Sequence, residues 1–297
     1  MADAAMAMQS RMAIEPGSAP HTFDVDSEFQ EFLSEQLRAH ETITDTAGLR
    51  GTRPHSAERS RITRVQEGGR LVLPVSPLRL DDWLPRILGG VEQVDVFAPD
   101  ETLPSFGVLL DRVSQTFLYR DCKINRAIFR GQSGGLLELE LDVIGASETV
   151  GVSFPAIEQD LTPANDPLVF SDGVFSVGGV DREVLSFEIT IENFLRSRFA
   201  NSTTVTNVSP ADRRVTCRLR TPFSADELDL YGTLSGGAQT TITFTNGSSS
   251  TAFGLPALQV ESSSPVVDSR DEIVLELQGT ARKLGTAAEL TVTNTLA

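Results

Sequence analysis

The sequence is poor in the groups that most chemistry and most covalent frameworks require. Cysteine occurs twice in 297 residues, at Cys122 and Cys217. That excludes a disulfide framework and a CxxC metal site, and leaves two buried free thiols as the expectation. The three histidines, His21, His40 and His55, all fall in the first 55 residues. There is no HExxH, no GxSxG and no Walker-type phosphate loop, so the residues point to no enzyme and to no cofactor or metal. Aromatics are sparse, with one Trp and two Tyr, which weighs against a carbohydrate-binding face. No apolar run is long enough to span a bilayer, and the first residues lack a basic segment followed by an apolar stretch, so neither a membrane span nor a signal peptide is expected. Positive charge is also scarce. The net charge of −16 opposes stable binding of a nucleic-acid backbone.

What is present is strand signal. The pattern divides the chain into an N-terminal arm, helix and loop (1–60), a β unit (61–149), an extended connector (150–173) and a second β unit (174–297). In the first segment, 27–40 ("SEFQEFLSEQLRAH") predicts a helix. Ser27 and Gln30 have capping-box spacing, and Phe29, Phe32, Leu33 and Leu37 share a face. The acids at 24–35 resemble a calcium loop, but the obligatory glycine position holds Phe29, which rejects that reading. Residues 46–61 read as a loop carrying the basic cluster Arg50, Arg53, Arg59 and Arg61. Residues 77–90 predict a short helix stopped by Gly89. The connector has three prolines and no basic residue. Asn246-Gly247 predicts a tight hairpin turn.

The two β units share an order of features. Pro77 matches Pro222 at an offset of 145, and a short acidic helix is expected after each. Phe106-Gly107 matches Phe253-Gly254 at 147, and Gly145 matches Gly279 at 134. Three strands alternate apolar and polar residues. Leu137, Leu139, Leu141 and Val143 oppose Glu138, Glu140 and Asp142. Phe187, Ile189 and Ile191 oppose Glu188, Thr190 and Glu192. Ile273, Leu275 and Leu277 oppose Glu272, Val274, Glu276 and Gln278. One face of each strand belongs against a core. The other, read strand by strand, is a wet acidic face, which predicts a surface that lets a polyanion pass without sticking.

The stretches "GLRGTRPHSAERSRI", "LDDWLPRILGG", "YRDCKINRAIFRGQSGGLLELELDVIG", "PLVFSDGVFSVGG" and "VLSFEITIENFLRSRFANST" resemble the major tail tube proteins of long-tailed bacteriophages and phage-like gene transfer agents. The resemblance runs from about residue 25 to the C-terminus. It implies a mainly β fold, here two tandem tail-tube-type β-sandwich or barrel units with short flanking helices. It implies a structural virion protein, made in the host cytoplasm, whose rings stack into a tube that delivers double-stranded DNA. On that reading Glu138, Glu140, Asp142, Glu188, Thr190, Glu192, Glu272, Glu276 and Gln278 line the lumen. Arg50, Arg53, Arg59, Phe170, Asp172 and Phe175 are candidates for contacts between subunits. Partners would be further copies, as a homotrimeric pseudo-hexameric ring or alternatively a homohexamer, together with a tape-measure protein and tail-end proteins. A virion decoration or adhesin-like module is the alternative, with the same strands but no stacked rings.

Overall fold

A computed structural model describes residues 6–296, apart from 46–47, 49–50, 52–53, 56, 91–94, 225–236, 263–264, 266 and 268–271. It is built almost wholly of antiparallel strands, with one α-helix among the described residues. The N-terminal region supplies β1 (Arg11–Pro16), β2 (Glu28–Gln30), β3 (Ser34–Glu35) and β4 (Arg38–Thr44). Then follow β5 (Arg61–Pro74), α1 (Pro77–Leu88), β6 (Val96–Phe97), β7 (Phe106–Asp111), β8 (Thr116–Gln132), β9 (Glu138–Gly145) and β10 (Ser147–Val150). After the connector come β11 (Gly173–Val177), β12 (Val180–Arg182), β13 (Ser186–Glu192), β14 (Arg196–Arg198) and β15 (Asn207–Ser209). The chain closes with β16 (Arg214–Pro222), β17 (Ala238–Asn246), β18 (Ser249–Ser262), β19 (Val274–Ala281) and β20 (Thr291–Thr295).

The spine of the fold is one continuous run of neighbours: β4, β5, β9, β8, β13, β16, β19, β18, β17, β11, β12. Two long strands change partners along their length. The first half of β8 pairs with β7 and β10, and its second half with β9 and β13, the switch falling at a bulge between Ile124 and Arg126. Likewise β18 pairs with β20 through Ser250–Gly254 and with β19 further on. These bends fold the sheet over a single apolar core that includes Trp83, Phe106, Phe129, Leu141, Ile189, Leu219, Phe253 and Leu277.

The helix over 77–88 forms as expected. Ser76 accepts the Arg79 amide, Pro77 opens the first turn, and Gly89 closes it in the left-handed region at φ 86°. Its Leu80, Trp83, Leu84, Ile87 and Leu88 are buried. The Gly178-Gly179 and Asn246-Gly247 turns also stand where the sequence put them.

Residues 27–40 are not a helix, which corrects the sequence reading. Phe29 pairs with Ala13, Ser34 with Val72 and Arg38 with Gly68. The Ser27 hydroxyl accepts the Asp24 amide and donates to Glu15. Gln30 accepts the Trp83 indole N–H at 2.8 Å. An isolated helix of this length is marginal in water. The unpaired edges of β1 and β5 offer its backbone a ladder instead, while Leu37 still reaches the core. The acidic helix expected after Pro222 falls on 225–236, outside the described residues.

Two stretches of the chain share one strand order. β5–α1–β7–β8–β9 and β16–β17–β18–β19 both run as a first strand, a crossover and a three-strand meander whose last strand returns to the first. Across this equivalence Gly145 stands opposite Glu67 in the first half, and Gly279 opposite Cys217 in the second. The equivalence also pairs β7 with β17, so Phe106-Gly107 and Phe253-Gly254 sit on non-equivalent strands. Each glycine has its own local cause. A Cβ on Gly107 would lie 2.6 Å from the His21 ring, and one on Gly254 2.9 Å from the Thr291 hydroxyl.

Candidate functional site

The alternation within the Leu/Glu strands orients their faces as the pattern predicts. Leu139, Leu141, Phe187, Ile189, Ile191, Leu275 and Leu277 are buried. Their neighbours project from the outer face of the six strands β5, β9, β8, β13, β16 and β19. Those strands bring Glu138, Glu140, Asp142, Glu188, Thr190, Glu192, Glu276 and Gln278 onto one surface. Glu272 is exposed just before β19 begins.

The face is not uniformly acidic, and this corrects the expectation. The registers place an arginine opposite nearly every carboxylate. Arg70 and Arg126 face Asp142, Arg130 faces Glu138, and Glu188 lies between Arg130 and Arg218. Glu192 lies between Arg126 and Arg214, and Arg220 stands opposite Glu276. Glu138, Glu140, Asp142, Glu188, Glu192 and Glu276 are thus matched one for one by Arg70, Arg126, Arg130, Arg214, Arg218 and Arg220. Opposite charges across a ladder stabilise it by about 0.2–1 kcal/mol a pair, whereas like charges oppose it. A single strand reveals only its own charges. The neutralising arginines come from other strands, some next along the chain and some far away in sequence.

The geometry is graded along the face. At one end Glu140 is buried and engaged by Arg70, by Arg130 at 3.1 Å and by Arg126 at 3.9 Å. Arg130 also holds Glu138 at 2.7 Å, and Arg126 holds Asp142 at 2.8 Å. The hydrogen bond to Glu138 and the surrounding carboxylates raise the pKa of Arg130 against the opposing effect of burial. In the middle Arg214 meets Glu192 at 2.6 Å. At the far end Arg218 reaches Glu276 at 3.3 Å and donates to Gln278 at 3.0 Å, both in water. Thr190 stands between Ile128 and Thr216 in the centre of the face.

Known proteins identify the class. A family model described as phage tail tube protein matches residues 8–281. The chain belongs to this family. No curated protein matches it. Family membership makes the chain a structural component of a virion tail that self-assembles into the tube. It also favours that reading over a decoration or adhesin-like module. The mainly β fold agrees with it.

The contact candidates separate. The side chains of Phe170 and Phe175 are buried in an aromatic cluster with Phe187 and Phe244, with ring centroids 5.3–6.3 Å apart. They serve the protomer's own core, because an aromatic hairpin flanked by Gly173 and Gly131 folds inward where the sheet leaves space. Asp172 is half-buried and accepts the Val169 amide at 3.4 Å. Arg59 is exposed in a short 3-10 turn, and Arg50 and Arg53 lie outside the described residues. Cys122 and Cys217 are buried free thiols, and burial drives both pKa values up, that of Cys217 to about 12. Among the described residues no His/Cys/Asp/Glu cluster could hold a metal, and no helix is long and apolar enough to cross a membrane.

Proposed function

We propose that copies of this chain form rings that stack into a tube, with the Arg/Glu face of β5, β9, β8, β13, β16 and β19 lining the bore through which double-stranded DNA is delivered. The observation that carries the reading is the coincidence of a tail tube family match with a continuous antiparallel sheet of two faces. One face is sealed in the core and the other is a charge-balanced lattice. Such a wall suits a sliding polyanion. Arg70, Arg126, Arg130, Arg214 and Arg218 are already held by carboxylates, so phosphates find few free cations along it, and an overall charge of −16 repels DNA at longer range.

The run of strands ends at β4 on one side and β12 on the other, each with one described partner strand. Pairing between neighbouring copies would cover such edges. Two units of like topology in each chain favour a homotrimeric, pseudo-hexameric ring, with a homohexamer as the second reading. The tape-measure protein and tail-end proteins are the proposed partners in assembly. Electron microscopy of purified assemblies tests this. Stacked rings of three chains with the Arg/Glu lattice inside are expected. Discrete particles without an axial hole, or a lattice facing the outer wall, would overturn it.

A further inference from the structure

Arg38 and His40 on β4, Arg64 and Arg70 on β5, and the Phe199 ring line an open groove of about 610 Å³. It is a cationic site in a strongly acidic chain. Its acids are committed elsewhere: Asp142 to Arg126 at 2.8 Å, and Glu67 buried on the inner side of β5. Arg70 is committed to Glu140. Arg38 and Arg64 are not committed. Arg38 donates to His40 Nε2 at 3.0 Å, and Arg64 lies 5.0 Å over the Phe199 ring. Among the described residues neither meets a carboxylate.

From this charge pattern we infer that the groove takes the acidic connector, around Glu158–Leu161, of a second copy of this chain. Residues 151–173 contain Glu158, Asp160, Asp166 and Asp172 and no basic residue. Glu158 is exposed and Leu161, beside it and Asp160, is 81% exposed. The two features are complementary in kind. A guanidinium recognises a carboxylate with paired N–H donors, and the Phe199 ring offers an apolar seat for the leucine. They are also separate within one protomer, since no connector residue lines the groove and Gln159 lies instead beside Met8 and Phe32. A groove and a ligand on different surfaces of one chain define a head-to-tail contact that repeats from copy to copy.

The inference rests on self-assembly into a tube, and the test separates the two. Arg64→Glu, Arg38→Glu, Glu158→Arg and the double variant Arg64→Glu/Glu158→Arg are compared with wild type by sedimentation and negative-stain microscopy. Far-UV circular dichroism melts check folding. Each single reversal is expected to raise the concentration needed for assembly by about tenfold or more, and the double variant to return it toward wild type. Arg38→Glu keeps the test valid if loss of the Arg64–Phe199 contact disturbs folding. Assembly of Arg38→Glu or Arg64→Glu at wild-type concentrations would overturn the inference alone. So would loss in the singles without recovery in the double, which would assign the groove to another acidic partner such as nucleic acid. Wild-type protein that never assembles would overturn the tube reading and this contact with it.

Discussion

The two halves of the charged face use the same side chains in different surroundings. In the first half Glu140 is 6% exposed at its side chain and is shared among three arginines. In the second half Glu276 is 47% exposed, with Arg218 equally open. Equivalent strands, β9 and β19, therefore carry one ion pair that is part of the packing and one that is solvated. Removing the buried carboxylate leaves Arg70 without its acid and takes one of two acids from Arg126 and Arg130. Removing an exposed one leaves hydrated side chains. The difference comes from the neighbours: Glu140 on β9 lies between paired residues of β5 and β8, whereas β18 pairs with β19 only from Gln278 onward, so Glu276 has a described ladder partner on the β16 side alone.

The largest expected effect tests that contrast directly. Glu140→Ala should destabilise the fold by about 1.5–3 kcal/mol in denaturant unfolding, the range for losing hydrogen bonds to a charged group. A loss near that of a surface pair would mean that Arg70, Arg126 and Arg130 are solvated in practice. Next come the two glycines. Gly107→Ala should cost about 1–3 kcal/mol, because it drives a Cβ into the buried His21 ring. Gly254→Ala should cost less, because only a threonine hydroxyl must turn away. Equal losses would remove the distinction.

A third test uses the ladder position where the first half holds Glu67 and the second Cys217. Glu67 is buried, one carboxylate oxygen has no partner, and desolvation raises its pKa, with a smaller push from Glu148. A raised carboxylate pKa gives stability that is full below the unfolded value near 4.5 and is lost as pH rises through the folded value. Glu67→Gln should thus raise stability by about 1 kcal/mol at pH 7 and change little at pH 4. A thermal melt that shifts equally at both pH values would contradict the assignment. The smallest effect belongs to Glu276→Ala, about 0–1 kcal/mol and decreasing with added salt.

Much of the site was legible in single strands. The parity of Leu137–Val143, Phe187–Ile191 and Leu275–Leu277 gave the buried face, and the carboxylates opposite gave the outward one. The cations were legible too, in "KINRAIFR" and "RRVTCRLR", where arginines recur at even spacing along β8 and β16. What one strand cannot reveal is which strand lies beside it. Arg126 meets Asp142 through a hairpin, but Arg214 meets Glu192 and Arg220 faces Glu276 only after the sheet is ordered. The Phe-Gly match failed as an equivalence for the same reason, since its two members sit at unrelated places in the ladder.

Local chemistry in the sequence determined the short-range features: the Ser76–Gly89 helix with its caps, the Gly178-Gly179 and Asn246-Gly247 turns, and the alternation that separates oil from water in each strand. These depend on residues a few positions apart, where dihedral preference and side-chain period act directly. Tertiary structure alone decided that 27–40 is drawn out as strands, that Phe170 and Phe175 turn inward, and that an acidic row becomes an Arg/Glu lattice. Each of those outcomes depends on unsatisfied backbone edges, free core volume or opposite charge, supplied by other strands rather than by the residues a few positions away.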